Sequence, residues 1–500
     1  MKKQHTFSRA ELRSHGNHQI EIKTRYPLRN ESISRYEMNL YLITPHQLGL
    51  DGQRYKREDF YRDMKANTRY TINEIPLRDL VSSTASTSPI ARIRKILQNP
   101  EPLNEAEQQE LLYEIRSLSN YFSTQVKYTS RNWKRNVLWK LEEKQELRNN
   151  LGDALDDILE FHRVYRKLLK KCRHPKMTPE LTRAFNWTDE SVSLITERIM
   201  LYYWKVTDRF EEYRGLQPRL VEIVQREKEY RSRKQYPSAS IDTHAEAREQ
   251  GLERESLLKK WSQSVLYLTN QDSKMDKGIS HVLAGTAAAI AMSIAVLLTF
   301  FADTWFHIYS LPWALVIVVS YILKDRIKEI LRGMLLRIMP KLIADRSEKL
   351  VDQRSKRTVG ITRSLVKFIR EGDLPPEISQ VLDQRQSHLS RTQPEGNVIW
   401  YRKSMRLKSE KLLSEHTRVN SITEIIRLSL DQFLELMDNP QKSICKIDTE
   451  GNLAQITGHK VYHCDVFIEL SDTRQTHKRV FWYDAVLTQK GLLRIEKKNF

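Results

Sequence analysis

From Gly278 to Leu323 the chain carries no formal charge except at Asp303, and no other stretch limits the fold so strongly. Gly278–Ala302 supplies 25 uncharged residues and Thr304–Leu323 a further 20. A helix rises 1.5 Å per residue and a bilayer's hydrocarbon is about 30 Å thick, so about 20 residues suffice for one crossing. The numbers predict a two-span transmembrane helical hairpin over 278–323 with its turn at Asp303–His307. A helical hairpin buried inside a large water-soluble domain is the competing reading. Pro312 leaves two starts for the second helix: near Trp305 with a kink, or at Ser310 with the proline in the first turn.

Charge orients this hairpin. The turn holds no Lys or Arg, whereas Lys259, Lys260, Lys274 and Lys277 precede the first span and Lys324, Arg326, Lys328 and Arg332 follow the second. Basic residues stay on the cytoplasmic side. The expected location is therefore a bacterial inner membrane, multi-pass with both termini cytoplasmic, and a eukaryotic internal membrane satisfies the same physics. Phe300, Phe301, Trp305, Phe306, Tyr309 and Trp313 crowd the turn as an interfacial belt would. Gly285, Ala289 and Ser293 recur every four residues, a spacing that lets helices approach closely, within the hairpin or between copies. His281 is the one ionisable side chain inside either span, which argues against a proton relay or an ion path through one copy.

Most of the mass is polar. The 500 residues hold 83 Lys+Arg against 63 Asp+Glu, a net charge of +20, which points to anionic partners. Cys172, Cys445 and Cys464 are few and far apart, as expected of a reducing compartment rather than a disulfide framework. The first residues lack the apolar core of a signal peptide, so a large N-terminal region is expected to stay on the side where it is made.

Taken in order, residues 1–18 read as a polar tail. The span 19–81 holds a β pair, with alternation at Ile20, Ile22 and Tyr26 and again over Tyr36–Ile43, followed by short helices. A linker at Ser82–Pro89 leads to an α-helical bundle over 90–235, with helix starts at Thr178-Pro179-Glu180 and Thr188-Asp189-Glu190. A membrane-proximal amphipathic helix over 241–277, a basic helical arm over 324–386 and a C-terminal α+β domain over 397–500 complete the chain. In that last domain Ser421-Ile-Thr-Glu424 matches a helix capping box, and alternating runs at Ile444–Ile447, Val461–Leu470, Arg479–Leu487 and Leu492–Glu496 form an antiparallel meander.

Motifs of catalysis are scarce. No phosphate-binding glycine loop and no His-Glu-x-x-His occurs. His459, His463, Cys464 and Asp465, with Cys445 and His477 nearby, are the densest set of metal-ligand types, but strand alternation puts Cys464 with the core residues Tyr462, Val466 and Ile468. Asp153, Asp157 and Glu160 share a helix side and lack a Glu-x-x-His partner, so they read as a solvated face balancing Arg163 and Arg166. Trp133, Trp139, Trp187 and Trp204 read as bundle core or interface residues.

From Lys324 to Arg370 there are 14 Lys/Arg and five Asp/Glu. Lys324, Arg326, Lys328, Arg332 and Arg337 are the expected contacts to anionic headgroups. The apolar stripe Ile327, Leu331, Met334 and Ile338 is expected to pack on Leu258, Trp261 and Val265. Nucleic acid is the less favoured partner, because Phe368 is the arm's one aromatic residue and strand binding needs interleaved rings. The sequence thus predicts a membrane-anchored scaffold, sensor or assembly factor with no cofactor, bound to a bilayer and to a protein partner or further copies of itself. A tethered enzyme, a nucleic-acid-acting effector and an oligomeric pore are the rivals.

Overall fold

The structure is a computed structural model that describes residues 9–82, 88–98, 102–171, 177–240, 245–273, 275–307, 310–338, 344–388, 396–416, 418–447, 453–472 and 478–500. Among the described residues helices take 54% and strands 29%, and large sheets make it a mixed α/β protein rather than domains strung on a two-span hairpin. It divides into two compact units. One comprises residues 1–68, 268–412 and 422–500, and the other 69–267 and 413–421.

In chain order the elements begin with strands β1 (Arg9–Ser14), β2 (Gln19–Pro27) and β3 (Ser34–Thr44), helix α1 (Arg57–Asp63) and β4 (Met64–Ile72). Helices follow: α2 (Leu77–Val81), α3 (Pro89–Leu97), α4 (Glu105–Trp139), α5 (Lys144–Lys171), α6 (Pro179–Thr207), α7 (Gln217–Arg233) and α8 (Ala245–Gln263). Then come β5 (Leu268–Asp272), α9 (Met275–Trp305), α10 (Leu311–Ile338), β6 (Arg346–Asp352), β7 (Thr358–Arg370) and α11 (Pro376–His388). The chain ends with β8 (Asn397–Leu407), α12 (Ser409–Glu415), β9 (Val419–Ser429), α13 (Asp431–Glu435), β10 (Gln441–Ile447), β11 (Leu453–His459), β12 (Tyr462–Asp472), β13 (Arg479–Thr488) and β14 (Gly491–Lys498).

The strands form an eight-stranded sheet in the order β14-β13-β12-β3-β8-β7-β6-β5, a four-stranded sheet β1-β2-β9-β4, and the pair β10-β11. Every pair with a described register is antiparallel. Strand β3 lies at the middle of the large sheet because both its faces are apolar. Met38, Leu40 and Leu42 join one core with Ile22, Tyr401, Val466 and Ile468, while Tyr41 and Ile43 join a second core closed by Ile378 and Leu382 of α11.

Several local expectations give way to this long-range pairing. Arg9–Ser14 is not tail but a strand, paired from Arg9↔Arg25 to Ser14↔Ile20. Strands β2 and β3 do not pair with each other; Pro27–Ile33 carries the chain between sheets, and β3 finds full-length partners in β12 and β8. A lone hairpin is marginal, whereas this placement covers both faces. The Ser421–Glu424 box sits inside β9, where alternation through Ile422, Ile426 and Leu428 outweighs the cap spacing. Residues 346–370, read as helical arm from their charge, are β6 and β7, and their own period-2 pattern explains why. Residues of the N-terminal and C-terminal segments therefore share one unit. The linker at 83–87 lies outside the described residues.

In the helical unit Asn104 caps α4 by accepting from Glu107 N at 2.8 Å, and Glu107 Oε2 accepts from Asn104 N at 3.0 Å. Thr178 caps α6, with Pro179 at its first position. Thr188-Asp189-Glu190 is no helix start. It lies mid-helix in α6 and is fully buried.

Candidate membrane-contact site

Strands β5 and β6 pair from Leu268↔Asp352 to Asp272↔Glu348, and α9 and α10 are inserted between them as a helical hairpin. Pro312 falls in the first turn of α10, so the second of the two sequence readings describes its start better. At the tip, Trp313 Nε1 donates to Asp303 Oδ1 at 2.7 Å.

The two-span, multi-pass expectation does not hold. Among the described residues one segment, Ala284–Trp305 of α9, is long and apolar enough to cross a membrane. The 20 residues counted for a second span include Thr304 and Trp305, which end α9, and the turn that follows. The apolar part of α10 itself is only Leu311–Leu323, a length of about 20 Å against about 30 Å of hydrocarbon. Beyond it Lys324, Arg326, Lys328 and Arg332 belong to a polar continuation of the same helix.

What the hairpin presents is an exposed apolar surface. On α9 it runs from Ile290 through Leu297 to Trp305, which is 78% exposed, and on α10 from Leu311, 84% exposed, to Leu323. The seam between the helices is lined by Ala287, Ala291, Ala295 and Ala302 of α9 and Ser320 of α10, all buried. Small residues thus do close the hairpin, but not those singled out by sequence. Gly285, Ala289 and Ser293 are exposed on another side of α9, and nothing lies within 4 Å of a Cβ placed on Gly285. Two phases of the four-residue spacing exist in this Ala-rich helix, and spacing alone does not choose between them.

Of the basic set, Arg326 is exposed beside Glu329 at 3.6 Å, and Lys324 Nζ lies 3.8 Å over the Tyr321 ring. Lys328 and Arg332 are exposed. The side chains of Arg337, Ile338 and His281 lie outside the described residues, as do Tyr309, Cys172 and His477. Ile327 and Leu331 are half-buried and Met334 is 51% exposed. Trp261, expected to meet this stripe, has its ring 5.3 Å from Trp187 and Arg116 stacked over it, within its own unit.

Charge that sequence reasoning missed lies inside the helical unit. Asp189 and Glu190 are wholly buried, and so nearly are Glu227, Arg231 and His162. Arg166 forks onto Glu227 at 3.0 and 2.6 Å, and Arg254 reaches Glu190 at 2.7 Å. His162 Nε2 lies 2.8 Å from Thr196 Oγ1, and burial pulls its pKa down to about 4. Arg166 therefore points inward, while Glu160 takes Arg163 and Asp157 takes Arg78. Lys127 is lowered to about 8 by burial, reinforced by Arg198, Lys259, Arg131 and Arg69. In the other unit Lys403 pairs with Glu424, and Tyr26 donates to the same carboxylate at 3.4 Å, all three buried between strands β8, β9 and β2. These groups satisfy one another in packed interiors, as structural networks do.

Trp133 is a core residue, donating to Leu147 O at 2.8 Å, whereas Trp139 is 73% exposed. Cys464 is buried in the sheet core, where burial pushes its thiol pKa far up, and His463 turns to Asp484 at 3.0 Å. Among the described residues no group of three His, Cys, Asp or Glu side chains is placed to hold a metal ion. Comparison with protein-family models, with characterised proteins and with solved structures finds no match.

Proposed function

We propose that this chain is a membrane-attached binding or assembly protein, held to a lipid bilayer by the apolar segment Ala284–Trp305 of α9. The supporting observation is the outward exposure of Ala284–Trp305, only 17% of whose apolar window is buried. A core helix of equal apolarity is mostly buried, and a signal sequence stands near the N-terminus; neither description suits this helix. Exposed apolar surface of this extent is costly in water and needs a cover. The bases after Leu323 add attraction to anionic headgroups.

Flotation of the full chain with vesicles tests the reading. Binding to zwitterionic vesicles should survive high salt and be lost on Leu297→Asp and Phe301→Asp. A chain that ignores vesicles and forms a defined oligomer, dissociated by those same substitutions, would show that the surface is covered by protein instead.

A further inference from the structure

Far along the chain from the hairpin, a cleft of about 930 Å³ opens between strand β1 and the β13–β14 pair. It is built from chain segments more than 450 residues apart, which is why no window of the sequence shows it. Near it the β1–β2 turn is tied to the start of β14. Leu492 N donates to Asn17 O at 2.6 Å, and Gly491, at φ +126, brings its backbone so near Asn17 O that a Cβ would lie 2.6 Å from it. Tyr483 Oη donates to Ala10 O at 3.4 Å, so this ring forms the inner wall.

Its lining is lopsided in charge. Arg9, Arg13, Lys23, Arg25, Arg479 and Lys497 surround it, and Glu11 is the one carboxylate in the lining, already engaged with Arg13. In the β1–β2 ladder Arg9 stands directly opposite Arg25. The floor is apolar: Phe481 and Tyr483 share one face of β13, beside Ile495 of β14. Phe481 is only half-buried and offers a ring to the cleft.

We propose that this cleft binds single-stranded nucleic acid, the cations meeting backbone phosphates and Phe481 stacking on a base. Three features favour it over other anions. A volume of this size takes a nucleotide unit. Arg9 and Arg13 are four residues apart on a strand, about 13 Å, so more than one phosphate is within reach of β1 alone. Cations interleaved with an aromatic ring are what a strand uses and what a simple phosphate does not need. The inference is independent of membrane attachment.

Fluorescence anisotropy with the full chain and a short labelled oligothymidylate provides the test, with inorganic polyphosphate and free ATP as competitors. The oligonucleotide should bind, and polyphosphate of equal charge should compete poorly. Arg479→Gln with Lys497→Gln should weaken binding more than tenfold and lower the slope of log affinity against log salt by about two. Phe481→Leu, which keeps the core filled, should weaken binding about five- to tenfold and leave that slope unchanged. Equal competition by polyphosphate together with an inert Phe481→Leu would overturn the proposal in favour of plain anion attraction. ATP competing as well as the oligonucleotide would assign the site to free nucleotides and reject the strand. Should a variant unfold, ultraviolet crosslinking of the oligonucleotide to the unaltered chain decides: adducts on β1, β13 or β14 are expected, and adducts confined to other elements overturn the assignment.

Discussion

Tyr230 Oη donates to Asp189 at 2.7 Å, and Tyr236 Oη donates to the same oxygen at 2.8 Å, so one buried carboxylate in the middle of α6 fastens α7 and the segment after it. Burial, with the Asp189 charge next, raises both phenol pKa values. Asp189→Leu should cost about 3–5 kcal/mol, because the tyrosines and Arg166 lose their acceptor inside the core. Tyr230→Phe alone should cost about 1.5–3 kcal/mol. Urea unfolding monitored by far-ultraviolet circular dichroism measures both, and a cost below 1 kcal/mol for Asp189→Leu would contradict the packing described.

His162 supplies a pH dependence. Its pKa falls from 6.5 in the unfolded chain to about 4 in the folded one, chiefly through burial, with Glu227 and Asp189 opposing and Arg166 and Arg226 assisting. The folded state therefore refuses a proton that the unfolded state accepts. Stability is full above pH 6.5 and declines as pH falls toward 4, by on the order of 3 kcal/mol. His162→Gln should flatten that part of the stability-versus-pH curve, read from urea midpoints between pH 7 and 4.5. An unchanged slope in the variant would refute the assignment.

Two alanine-scale changes on α9 distinguish its faces. Ala291→Leu forces bulk into the seam with α10 and should destabilise the hairpin by about 1–3 kcal/mol. Gly285→Ala should be neutral or stabilising by up to about 1 kcal/mol, since its Cβ meets open space and alanine is the better helix former. Protease resistance of the segment between β5 and β6 reports the difference. The reverse ranking would restore the face chosen from sequence.

Replacing Lys324, Arg326, Lys328 and Arg332 by Gln should weaken binding to anionic vesicles and leave zwitterionic vesicles unaffected, at about 1 kcal/mol per base near the surface. Roughly 1 M salt should mimic the change in the unaltered chain. Equal loss on both vesicle types would show that the substitutions damage the helix rather than its charge.

How far the sequence could be read depended on the range of the interaction. Long helices with local periodicity, such as α4 through Leu111, Ile115, Leu118 and Phe122, were legible because helical pairing is local. Strand partners were not, since β3 is completed by residues more than 350 positions away. Asp189 and Glu190 read as a helix start because their cations, Arg166 and Arg254, arrive from other helices. Exposed Lys324 to Arg332 and the apolar hairpin were visible at once, yet its span count was not. Only the position of the turn reveals how little of the second run belongs to α10.

The β5–β6 ladder has a consequence for engineering. Asp272 and Glu348 are direct partners, so roughly 75 residues form one excursion whose two ends are already side by side. Joining the strands there by a tight turn would remove the apolar hairpin without changing any other connection in the sheet. Shortening the closed loop that far lowers its closure entropy cost by about 2–3 kcal/mol. The trimmed chain should keep its eight-stranded order and become the more tractable molecule in detergent-free buffer, which makes the excursion a detachable module of the architecture.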